Sequence, residues 1–483
     1  MFNSNSKESS FLISALTEEN RFQGMGEFMF WFNSKKTTNP FSVEQIPFDK
    51  LDNWYFEEES QNLVHTSGKF FKIEGIRVHT NFGPAKEWEQ PVINQPEIGI
   101  LGIITKKFDG VRYFLMQAKM EPGNININQL SPTVQATKSN YTQVHKGRLP
   151  TYLEYFLDKT RAKILIDQLQ SEQGSRFLRK RNRNMIVEVY EDIQLHDDFC
   201  WLTLGQIKKL LTIDNFVNMD ARSVISRIPF IDDDLRQHYE SLLSGKSAEI
   251  KLFDHILHGF YKDIFVSMID RKHAYHSSDE IISWFTELKT NYDLKVENIP
   301  LRDVSNWIHT EREIYHESGQ FFSVIAVSVQ AGSREVFSWT QPLLKHSSYG
   351  LIGFLAKKIN GVLHFLVQGK PEPGNLDIIE MAPTVSCSGA EYRMQQPNKP
   401  PFLDIFMNAS ADQIKYSTIQ SEEGGRFYHW QNKNMIVELR DSTSIEIPEN
   451  YKWMTLNQIM DFTKYNNYFN IEARNILSCL SLI

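Results

Sequence analysis

The sequence predicts an α+β protein that arose by tandem duplication. A shift of about 250 residues superimposes the two halves of the 483-residue chain. Within matching runs, Trp54 returns as Trp307 and Trp88 returns as Trp339. Order and spacing hold over roughly 200 residues in each half, which indicates duplication of a whole domain rather than a short solenoid unit.

The strand pattern explains why the class is α+β. Residues 98–106 and 111–117 are β-rich runs around Asp-Gly, and 351–358 and 362–368 repeat them around Asn-Gly. This arrangement predicts a β-hairpin in each half. The alternation of apolar and polar residues over 70–81 predicts a half-buried strand. Because no long alternation of strands and helices follows, a doubly wound parallel sheet is not expected.

Helices are predicted from apolar spacing and from capping residues. They cover residues 9–20, 151–170, 204–211 and 221–228, and a helical connector spans 232–270. We expect the chain to divide into four segments: an N-terminal helical extension (1–24), a first repeat (25–227), a connector (228–279) and a second repeat (280–483).

Composition excludes several classes of protein. With 41% hydrophobic and 23% charged residues, the chain can bury a core. A net charge of −7 argues against a nucleic-acid binder. Three scattered cysteines make neither a disulfide framework nor a zinc site, so we expect a reducing cytosol. We see no signal peptide and no apolar run long enough to cross a membrane, so a membrane location is not expected.

The most informative stretch is the polar box Gln117–Tyr141, which has a weaker copy at Gln368–Tyr392. Gln117 and Lys119 alternate along a strand and share one face, with Glu121 close behind. A plain Pro-Gly turn is the alternative interpretation of the EPGN sequence. Its occurrence in both halves, behind the same Gln and Lys, favours a ligand-facing edge.

A polar run closes the box. Residues 131–141 offer hydroxyls, amides and a lysine, and His145 follows. Such donors suit a phosphorylated or polyhydroxylated ligand. A plain polar loop is the alternative interpretation of this run. The recurring tryptophans either pack in the core or stack on a base or sugar. The second copy diverges after Val385, so the two sites, if both exist, are not chemically equivalent.

These motifs resemble the NDP-hexose 2,3-dehydratase family. The resemblance rests on WEQPVINQPEIGILG (88–102), FDGVRYFLMQAKMEPGN (108–124), QLSPTVQATKSNYTQVHKG (129–147), SEQGSRFLRKRNRNMIVEV (171–189) and SEEGGRFYHWQNKNM (421–435). It covers nearly the whole chain. It implies two fused Nudix-like α/β/α domains with mixed sheets, a homodimer, and a reaction without a metal or other cofactor.

The residues themselves disfavour Nudix hydrolysis. A Nudix box needs several glutamates to bind divalent cations, but Gln170-Ser-Glu-Gln-Gly174 and Gln420-Ser-Glu-Glu-Gly424 lack its first part. Ser171 and Ser421 stand where the first ligand glutamate would be. Too few carboxylates remain for a Mg²⁺ site. No phosphate-binding glycine loop, HExxH pair or dinucleotide fingerprint is present either.

The resemblance implies β-elimination from dTDP-4-keto-6-deoxyglucose, which requires a base, a partner for the enolate oxygen and an acid. The catalytic candidates lie in the N-terminal box and are Lys119, Glu121, Tyr141 and His145. For each of them, substrate binding without proton transfer is the alternative. The residues expected to bind substrate are Trp54, Trp88, Gln117, Asn124, Gln129, Thr133, Gln135, Thr137, Lys138, Ser139, Asn140, Tyr141 and Arg176. A second nucleotide-sugar site, remnant or accessory, is expected at Trp307, Arg334, Lys370, Glu372, Asn375, Thr384, Glu391, Tyr392, Arg393 and Arg426.

Two other functions remain open at the level of sequence. One is a non-catalytic nucleotide-sugar binding protein, and the other is a Mg²⁺-dependent diphosphate hydrolase. The resemblance also implies a separate 3-ketoreductase as a functional partner, since the product of the elimination is unstable and this chain has no dinucleotide-binding fingerprint.

Overall fold

The computed structural model describes residues 6–138, 149–237, 258–332, 336–346, 348–389 and 399–482. Within these ranges the two halves present the same succession of strands and short helices, and the α+β prediction is confirmed. No described helix has the length and apolar composition needed to cross a bilayer.

The first half begins with two helices and continues with twelve strands. Its helices are α1 (Lys7–Ala15), α2 (Met25–Thr38), α3 (Glu154–Leu157), α4 (Leu204–Leu210) and α5 (Met219–Ile225). Its strands are β1 (Phe41–Ile46), β2 (Trp54–Phe56), β3 (Leu63–His65), β4 (Lys72–Thr80), β5 (Glu87–Asn94), β6 (Gly99–Phe108), β7 (Val111–Met120), β8 (Asn128–Ser131), β9 (Val134–Ala136), β10 (Lys163–Ser171), β11 (Arg181–Glu188) and β12 (Phe199–Thr203).

The second half repeats this order. Its helices are α6 (Gly259–Ile269), α7 (Ser278–Asn291), α8 (Leu403–Met407), α9 (Leu456–Phe462) and α10 (Ile471–Cys479). Its strands are β13 (Leu294–Ile299), β14 (Trp307–His309), β15 (Glu313–His316), β16 (Ser323–Ala331), β17 (Ser338–Lys345), β18 (Gly350–Ile359), β19 (Val362–Pro371), β20 (Ile379–Ala382), β21 (Val385–Cys387), β22 (Ile414–Ser421), β23 (Phe427–Tyr428), β24 (Gln431–Glu438) and β25 (Tyr451–Thr455).

Each half has a central mixed sheet built around the predicted hairpin. In the first half the order is β10-β11-β6-β7-β12, with β8 on β7 and β9 on β6. Strands β6 and β11 are parallel, whereas β6 and β7 are antiparallel. The hairpin turns through Asp109 and Gly110, both at positive φ, as the tight Asp-Gly connection requires. The second half repeats this sheet with β22-β24-β18-β19.

The two smaller sheets exchange strands between the halves. Strand β1 of the first half pairs with β16 of the second, and β13 of the second pairs with β4 of the first. Both pairings are antiparallel and run over six residue pairs. Backbone ladders therefore join the halves in both directions. The proposed boundaries of the four segments remain a prediction, but the sheets extend across them.

The predicted helix over 151–170 is wrong. Only α3 is helical there, and Lys163–Ser171 forms strand β10, which pairs with β11. The apolar residues of this stretch fit a helical period, but Tyr152 has φ of 67° and α3 ends at Leu157. The ladder to β11 decides the conformation, since tertiary pairing overrides weak helix propensity.

The remaining helix predictions are confirmed. Helices α1, α4 and α5 lie where the apolar spacing placed them, each within a few residues of its predicted ends. Within the predicted connector, 233–237 and α6 are helical, while 238–257 lie outside the described residues. Phe28 and Phe32 of α2 pack into the largest core cluster, where Phe32 stacks on Phe216 with ring centroids 4.5 Å apart.

Candidate functional site

Two glycine-containing turns from opposite halves interlock at the centre of the molecule. The turn Glu121–Asn124 follows β7, and the turn Ser421–Arg426 follows β22. The N–H of Gly123 donates to the carbonyl of Gly424 at 2.7 Å, and the N–H of His429 donates to the carbonyl of Gly123 at 2.8 Å. A Cβ on Gly123 would lie 1.7 Å from the Phe427 carbonyl oxygen, so the close approach requires glycine.

The same contact is repeated with the halves exchanged. Gly374 donates its N–H to the carbonyl of Gly174 at 2.5 Å, and Arg179 donates to the carbonyl of Gly374 at 2.8 Å. Each polar box is therefore completed by the turn of the other half. A site at either box draws residues from both halves of the chain.

A cavity of about 350 Å³ lies at the first of these contacts. The first half contributes its polar floor, which comprises Lys119, Glu121, Gln135, Thr137, Lys180, Asn182 and Asp220. The second half contributes Ser338, Trp339, Thr340, Gln341, Glu423, Gly425 and Arg426. The cavity combines carboxyl groups, cations and aromatic rings, as a site for a large polar ligand requires.

The two carboxylate oxygens of Glu121 differ in their hydrogen bonding. Its side chain is 4% exposed, and its Oε1 accepts a hydrogen bond from Gln135 Nε2 at 2.8 Å. Lys119 Nζ lies 3.7 Å from the same oxygen. The buried Oε2 has no hydrogen-bond partner among the described residues. Because a buried carboxylate oxygen is costly to leave unpaired, this atom is a candidate contact for a ligand.

Two further acids, Asp220 and Glu423, line the cavity with Glu121, and a third, Glu172, interacts with both; burial raises the pKa values of all three. Burial and the charge of Glu423 raise the pKa of Glu172 to about 7. Burial, aided by the charges of Glu423, Glu172 and Glu121, raises the pKa of Asp220 well above its ordinary value. Burial also raises the pKa of Glu423, although Arg426 opposes that effect. Raised pKa values of this kind are typical of carboxyl groups that act as general acids.

Two cations face these acids. Burial lowers the pKa of Lys180, and its ammonium group donates to the carbonyl of Glu97. The Arg426 guanidinium lies over the ring of Phe71, 4.2 Å from the centroid, and its Nε donates to Gln95 Oε1 at 3.2 Å. The stacking ring fixes the guanidinium plane, which suits recognition of an oxyanion with two acceptor oxygens.

Aromatic residues form the wall of the cavity. Trp54 packs on Phe71 with ring centroids 4.9 Å apart, and its indole N–H donates to the Thr340 carbonyl at 3.1 Å. Trp339 donates to Gln341 Oε1 at 2.8 Å. The tryptophans thus come from both halves, with one end apolar and the other hydrogen-bonded.

The predicted residues divide into three groups. Those that line the cavity are Trp54, Lys119, Glu121, Gln135, Thr137 and Arg426. Those that do not line it are Trp88, Gln117, Asn124, Gln129, Thr133, Lys138, Arg176, Trp307, Lys370, Glu372, Asn375 and Thr384. Those that lie outside the described residues are Ser139, Asn140, Tyr141, His145, Arg334, Glu391, Tyr392 and Arg393.

Several polar residues of the box have structural partners instead. Thr133 Oγ1 accepts from the Ile104 N–H at 2.9 Å and donates to the Leu115 carbonyl. Asn124 Nδ2 donates to the Ile127 carbonyl at 3.1 Å, and Gln129 Oε1 accepts from Ser421 Oγ at 2.8 Å. These contacts hold the strands and the interlocked turns, so part of the polar character of the box is structural.

Arg176 and Arg426 each lie in the half of the molecule opposite to the one predicted from the sequence. Arg176 was grouped with the first site, yet its guanidinium lies 4.6 Å from the ring centroid of Phe322 in the second half. Arg426 was grouped with the second site, yet it lines the first cavity. In the same way Trp339, rather than Trp88, lines this cavity. The interlocked turns cause the exchange, because each turn carries its arginine into the site of the other half.

The corresponding region of the second half is filled differently. Lys370 Nζ lies 3.2 Å from Glu372 Oε1, which repeats the pair at Glu121. Trp430, however, occupies the position of Lys180 and packs against His346 with ring centroids 4.7 Å apart. Burial lowers the pKa of His346 to about 4, so this ring is neutral. A buried indole and a neutral imidazole replace a lysine and a glutamine, which makes the two regions chemically unlike.

The remaining residues predicted for the second site are largely structural. Thr384 Oγ1 accepts from the Leu355 N–H at 2.9 Å, as Thr133 does in the first half. Trp307 donates its indole N–H to the Glu89 carbonyl at 3.1 Å. Asn375 lies against Gly174, where an added Cβ would be 2.2 Å from its Oδ1.

Sequence reasoning missed Asp220, Glu423, Lys180 and Glu172. A signal for two of them was present, since an acid recurs in the matching pairs Asp220 and Glu472, and Glu172 and Glu422. Asp220 lies in the first turn of α5 and Glu472 in the first turn of α10. Among the described residues no group of three or more His, Cys, Asp or Glu side chains is arranged to hold a metal ion.

Comparison with known proteins identifies the family. The profile of the NDP-hexose 2,3-dehydratase family matches residues 25–228 and 278–480. A dTDP-4-dehydro-6-deoxy-α-D-glucopyranose 2,3-dehydratase of Saccharopolyspora spinosa is 46% identical over 471 residues, which cover 97% of this chain and 94% of the relative. Proteins of the same name from Amycolatopsis orientalis and Streptomyces violaceoruber are 43% and 39% identical, over 97% and 94% of this chain and 93% and 96% of the relatives. The chain belongs to the NDP-hexose 2,3-dehydratase family.

Proposed function

We propose that this protein is a lyase that removes the C3 hydrogen and the C2 hydroxyl group of dTDP-4-dehydro-6-deoxy-α-D-glucopyranose. The names of three full-length relatives support the substrate. The observation that carries the proposal is the cavity, which brings the Lys119–Glu121 pair and Asp220 of one half beside Glu423 and Arg426 of the other.

The reaction needs two proton transfers. The C4 ketone acidifies the C3 hydrogen, and a base that removes it generates an enolate. The C2 hydroxyl then leaves with a proton from an acid. A base and an acid of differing pKa, together with a positive group near the enolate oxygen, are therefore the minimum equipment of the site.

Glu121 is the proposed base. Its Oε1 is fixed by Gln135, and its Oε2 lacks a hydrogen-bond partner among the described residues. A carboxylate oxygen in that state can accept the C3 proton without first losing another bond. We assign Lys119, 3.7 Å from Glu121 Oε1, to the stabilisation of negative charge as the proton is transferred.

The proposed acid is the pair Asp220 and Glu423. Burial raises the pKa of both carboxyl groups. Neighbouring carboxyls of this kind share a proton, which belongs to the pair rather than to one residue. We assign this pair to the delivery of a proton to the departing hydroxyl group. Tyr141 and His145, predicted from the sequence as further proton carriers, remain part of this proposal.

Binding of the nucleotide follows from the rest of the cavity. Arg426 and Lys180 supply positive charge for a diphosphate, with Arg426 held flat against Phe71. Trp54 and Trp339 supply aromatic surfaces for the base or the sugar. Gln135 and Thr137 add hydrogen-bonding groups for the hexose.

Incubation of EDTA-treated protein with the substrate in D₂O tests the proposal, with the sugar followed by NMR and mass spectrometry. Loss of the C3 hydrogen together with water, or release of free dTDP from a decomposing product, is the expected result. Exchange at C3 without loss of water would support the assignment of a base and contradict the assignment of the acid. Binding without exchange would indicate a binding protein, and Mg²⁺-dependent release of nucleoside monophosphate would indicate a hydrolase.

Several finer features belong to the same proposal. We propose that each half has a Nudix-like fold, which the mixed central sheet supports, and that the segments 1–24, 25–227, 228–279 and 280–483 are its structural units. We also propose a homodimer, a location in the reducing cytosol and a reaction without a cofactor. A separate NAD(P)H-dependent 3-ketoreductase would consume the unstable diketo product.

A further inference from the structure

A second cavity, of about 480 Å³, lies at another place on the seam between the halves. Its walls come from α1, β10 and the segment after α5 in the first half, and from the end of α6 and from α9 in the second. None of the residues that line the cavity around Glu121 lines this one.

Arg227 is buried in the wall of this cavity, and none of the described residues forms an ion pair with it. The residue is 6% exposed, and its Nε donates to Gln168 Oε1 at 2.6 Å. Its Nη1 has no hydrogen-bond partner among the described residues. Burial lowers the pKa of Arg227 well below its ordinary value, and the charge of Arg474 acts in the same direction. A buried guanidinium in this state is costly unless an anion reaches it.

Other buried arginines of the chain are better compensated. Arg112 forms an ion pair with Glu188 at 2.9 Å. Arg222 and Arg474 donate to backbone carbonyls of Ser421 and Ser171. Arg227 has only the neutral amide oxygen of Gln168 as an acceptor within the described residues. Arg222 Nε and Arg474 Nε also lack a partner among the described residues. Arg227 differs from these arginines because no carboxylate or backbone carbonyl there accepts from it, and because it lines a cavity.

The carboxylates that line this cavity have partners of their own. They pair as Asp167 with Arg183 at 2.6 Å, Asp461 with Lys464 at 2.6 Å and Glu8 with Lys7 at 3.3 Å. Asp232 accepts from Ser6 Oγ at 2.5 Å and from the Leu235 N–H at 2.7 Å. Arg236 and Arg271, each 3.9 Å from Asp233, also line the cavity. Among the described residues no carboxylate forms an ion pair with Arg227, and Arg236 and Arg271 are further cations of the wall.

We propose that this cavity binds a small oxyanion, phosphate or a carboxylate, through the guanidinium of Arg227. Such an anion supplies the missing acceptor for Nη1, and the planar guanidinium can bind two oxygens at once. Since Cys479 stands at the equivalent position of the second half, we expect one such site per chain. The ligand would bridge α1, β10 and α9 and so hold the two halves together at this seam.

Calorimetry and thermal unfolding of the full chain test the proposal. Inorganic phosphate and, separately, acetate are titrated at constant ionic strength made up with chloride. We expect one anion bound per chain and a rise of several degrees in Tm with one of these anions, because a ligand that binds only the folded state stabilises it. Comparison of phosphate with acetate shows whether the site prefers a phosphate or a carboxylate.

Four variants make the result specific. Arg227→Gln should lose the bound anion and the anion-dependent rise in Tm, while Arg227→Lys, which keeps a charge but not the planar fork, should bind several-fold more weakly. Arg161→Gln removes an exposed arginine as a matched control and should behave as wild type. Arg426→Gln removes the arginine of the first cavity and should keep this binding event.

The proposal is overturned if neither anion binds beyond chloride, or if Arg227→Gln keeps the same stoichiometry and the same rise in Tm. Loss of the binding event in Arg426→Gln with its retention in Arg227→Gln would place the anion in the first cavity and also overturn it. Because the readouts are binding and Tm in anion-free and anion-containing buffer, a failure of the proposed dehydratase reaction does not affect the test.

Discussion

The N–H of Gly123 and the carbonyl of Gly424 are 2.7 Å apart, although three hundred residues separate them in the chain. This hydrogen bond joins the turn that carries Glu121 to the turn that carries Glu423 and Arg426. Because the two backbones approach each other directly, Glu121 of the first half and Arg426 of the second line the same cavity.

Gly424→Ala should damage the site through this contact. The new Cβ would lie 2.2 Å from Asn124 Oδ1 and 2.9 Å from Glu121 Cβ, so the turn that bears Glu121 must shift. We expect turnover to fall at least tenfold and the free energy of unfolding to fall by about 1–3 kcal/mol. Steady-state kinetics and urea unfolding measure the two effects.

Gly26→Ala is the matched control for that change. A Cβ there meets no atom within 4 Å, and the residue lies within α2. Alanine should therefore leave turnover unchanged and stabilise the helix by about 0.5–1 kcal/mol. Equal kinetics of the Gly424→Ala variant and the wild type would contradict the role given to the interlocked turns.

Glu121→Gln should reduce turnover by about 10²–10⁴-fold, the range typical for loss of a positioned base. The amide retains the size of the side chain, so its contact with Gln135 can be re-formed and folding should be kept. Glu372→Gln makes the same substitution at the equivalent position of the second half and should leave turnover near that of the wild type. Equal losses in the two variants would show that the reaction does not depend on the first cavity alone. Unchanged turnover in alanine variants of Glu121, Tyr141 and His145 would refute the assignment of catalysis to these residues.

Stability should fall as pH rises through the range in which Glu172 ionises. Burial and the charge of Glu423 raise its folded pKa to about 7, above its unfolded value, so the folded state binds the proton more tightly. Its contribution is complete below the unfolded pKa of about 4.5 and is lost between there and about pH 7. The loss is at most about 3 kcal/mol, since each unit between the two pKa values is worth about 1.4 kcal/mol.

Urea unfolding between pH 5 and 7.5 measures this effect. Glu172→Gln cannot ionise and keeps an acceptor for Asn182, so its stability should vary less with pH than that of the wild type. Glu287→Gln, at an exposed position of α7, serves as the control. Parallel pH profiles for the wild type and Glu172→Gln would refute the assignment.

Lys180→Trp should close the first cavity. Trp430 stands at the equivalent position of the second half, where it is 8% exposed and packs against Phe427 with ring centroids 5.1 Å apart. An indole in place of Lys180 would occupy space that the ligand needs and remove a cation, so binding of dTDP should weaken at least tenfold, as measured by calorimetry.

Lys180→Met separates the two effects. Methionine keeps the length of the side chain but not its charge, so the variant should bind dTDP more weakly than the wild type and more tightly than Lys180→Trp. Undiminished dTDP binding by Lys180→Trp would show that the nucleotide does not enter this cavity.

The sequence by itself determined the duplication, the hairpins and the family, because these depend on patterns read along the chain. The Asp109-Gly110 turn follows from local backbone preference, and the repeated box located Lys119, Glu121 and Gln135 at the cavity. The helix predicted over 151–170 failed where apolar spacing fits a helix, because β10 instead pairs with β11 as the edge strand of the central sheet.

Only the tertiary structure decided which residues share a site. Periodicity and turn chemistry act over a few residues, whereas Arg426 reaches the first cavity because strands β1 and β13 change halves and the glycine turns interlock. The burial of Asp220, which raises its pKa, likewise results from packing among residues distant in sequence. Local pattern therefore identified the box around Glu121, and long-range packing supplied the acids and the arginine that complete it.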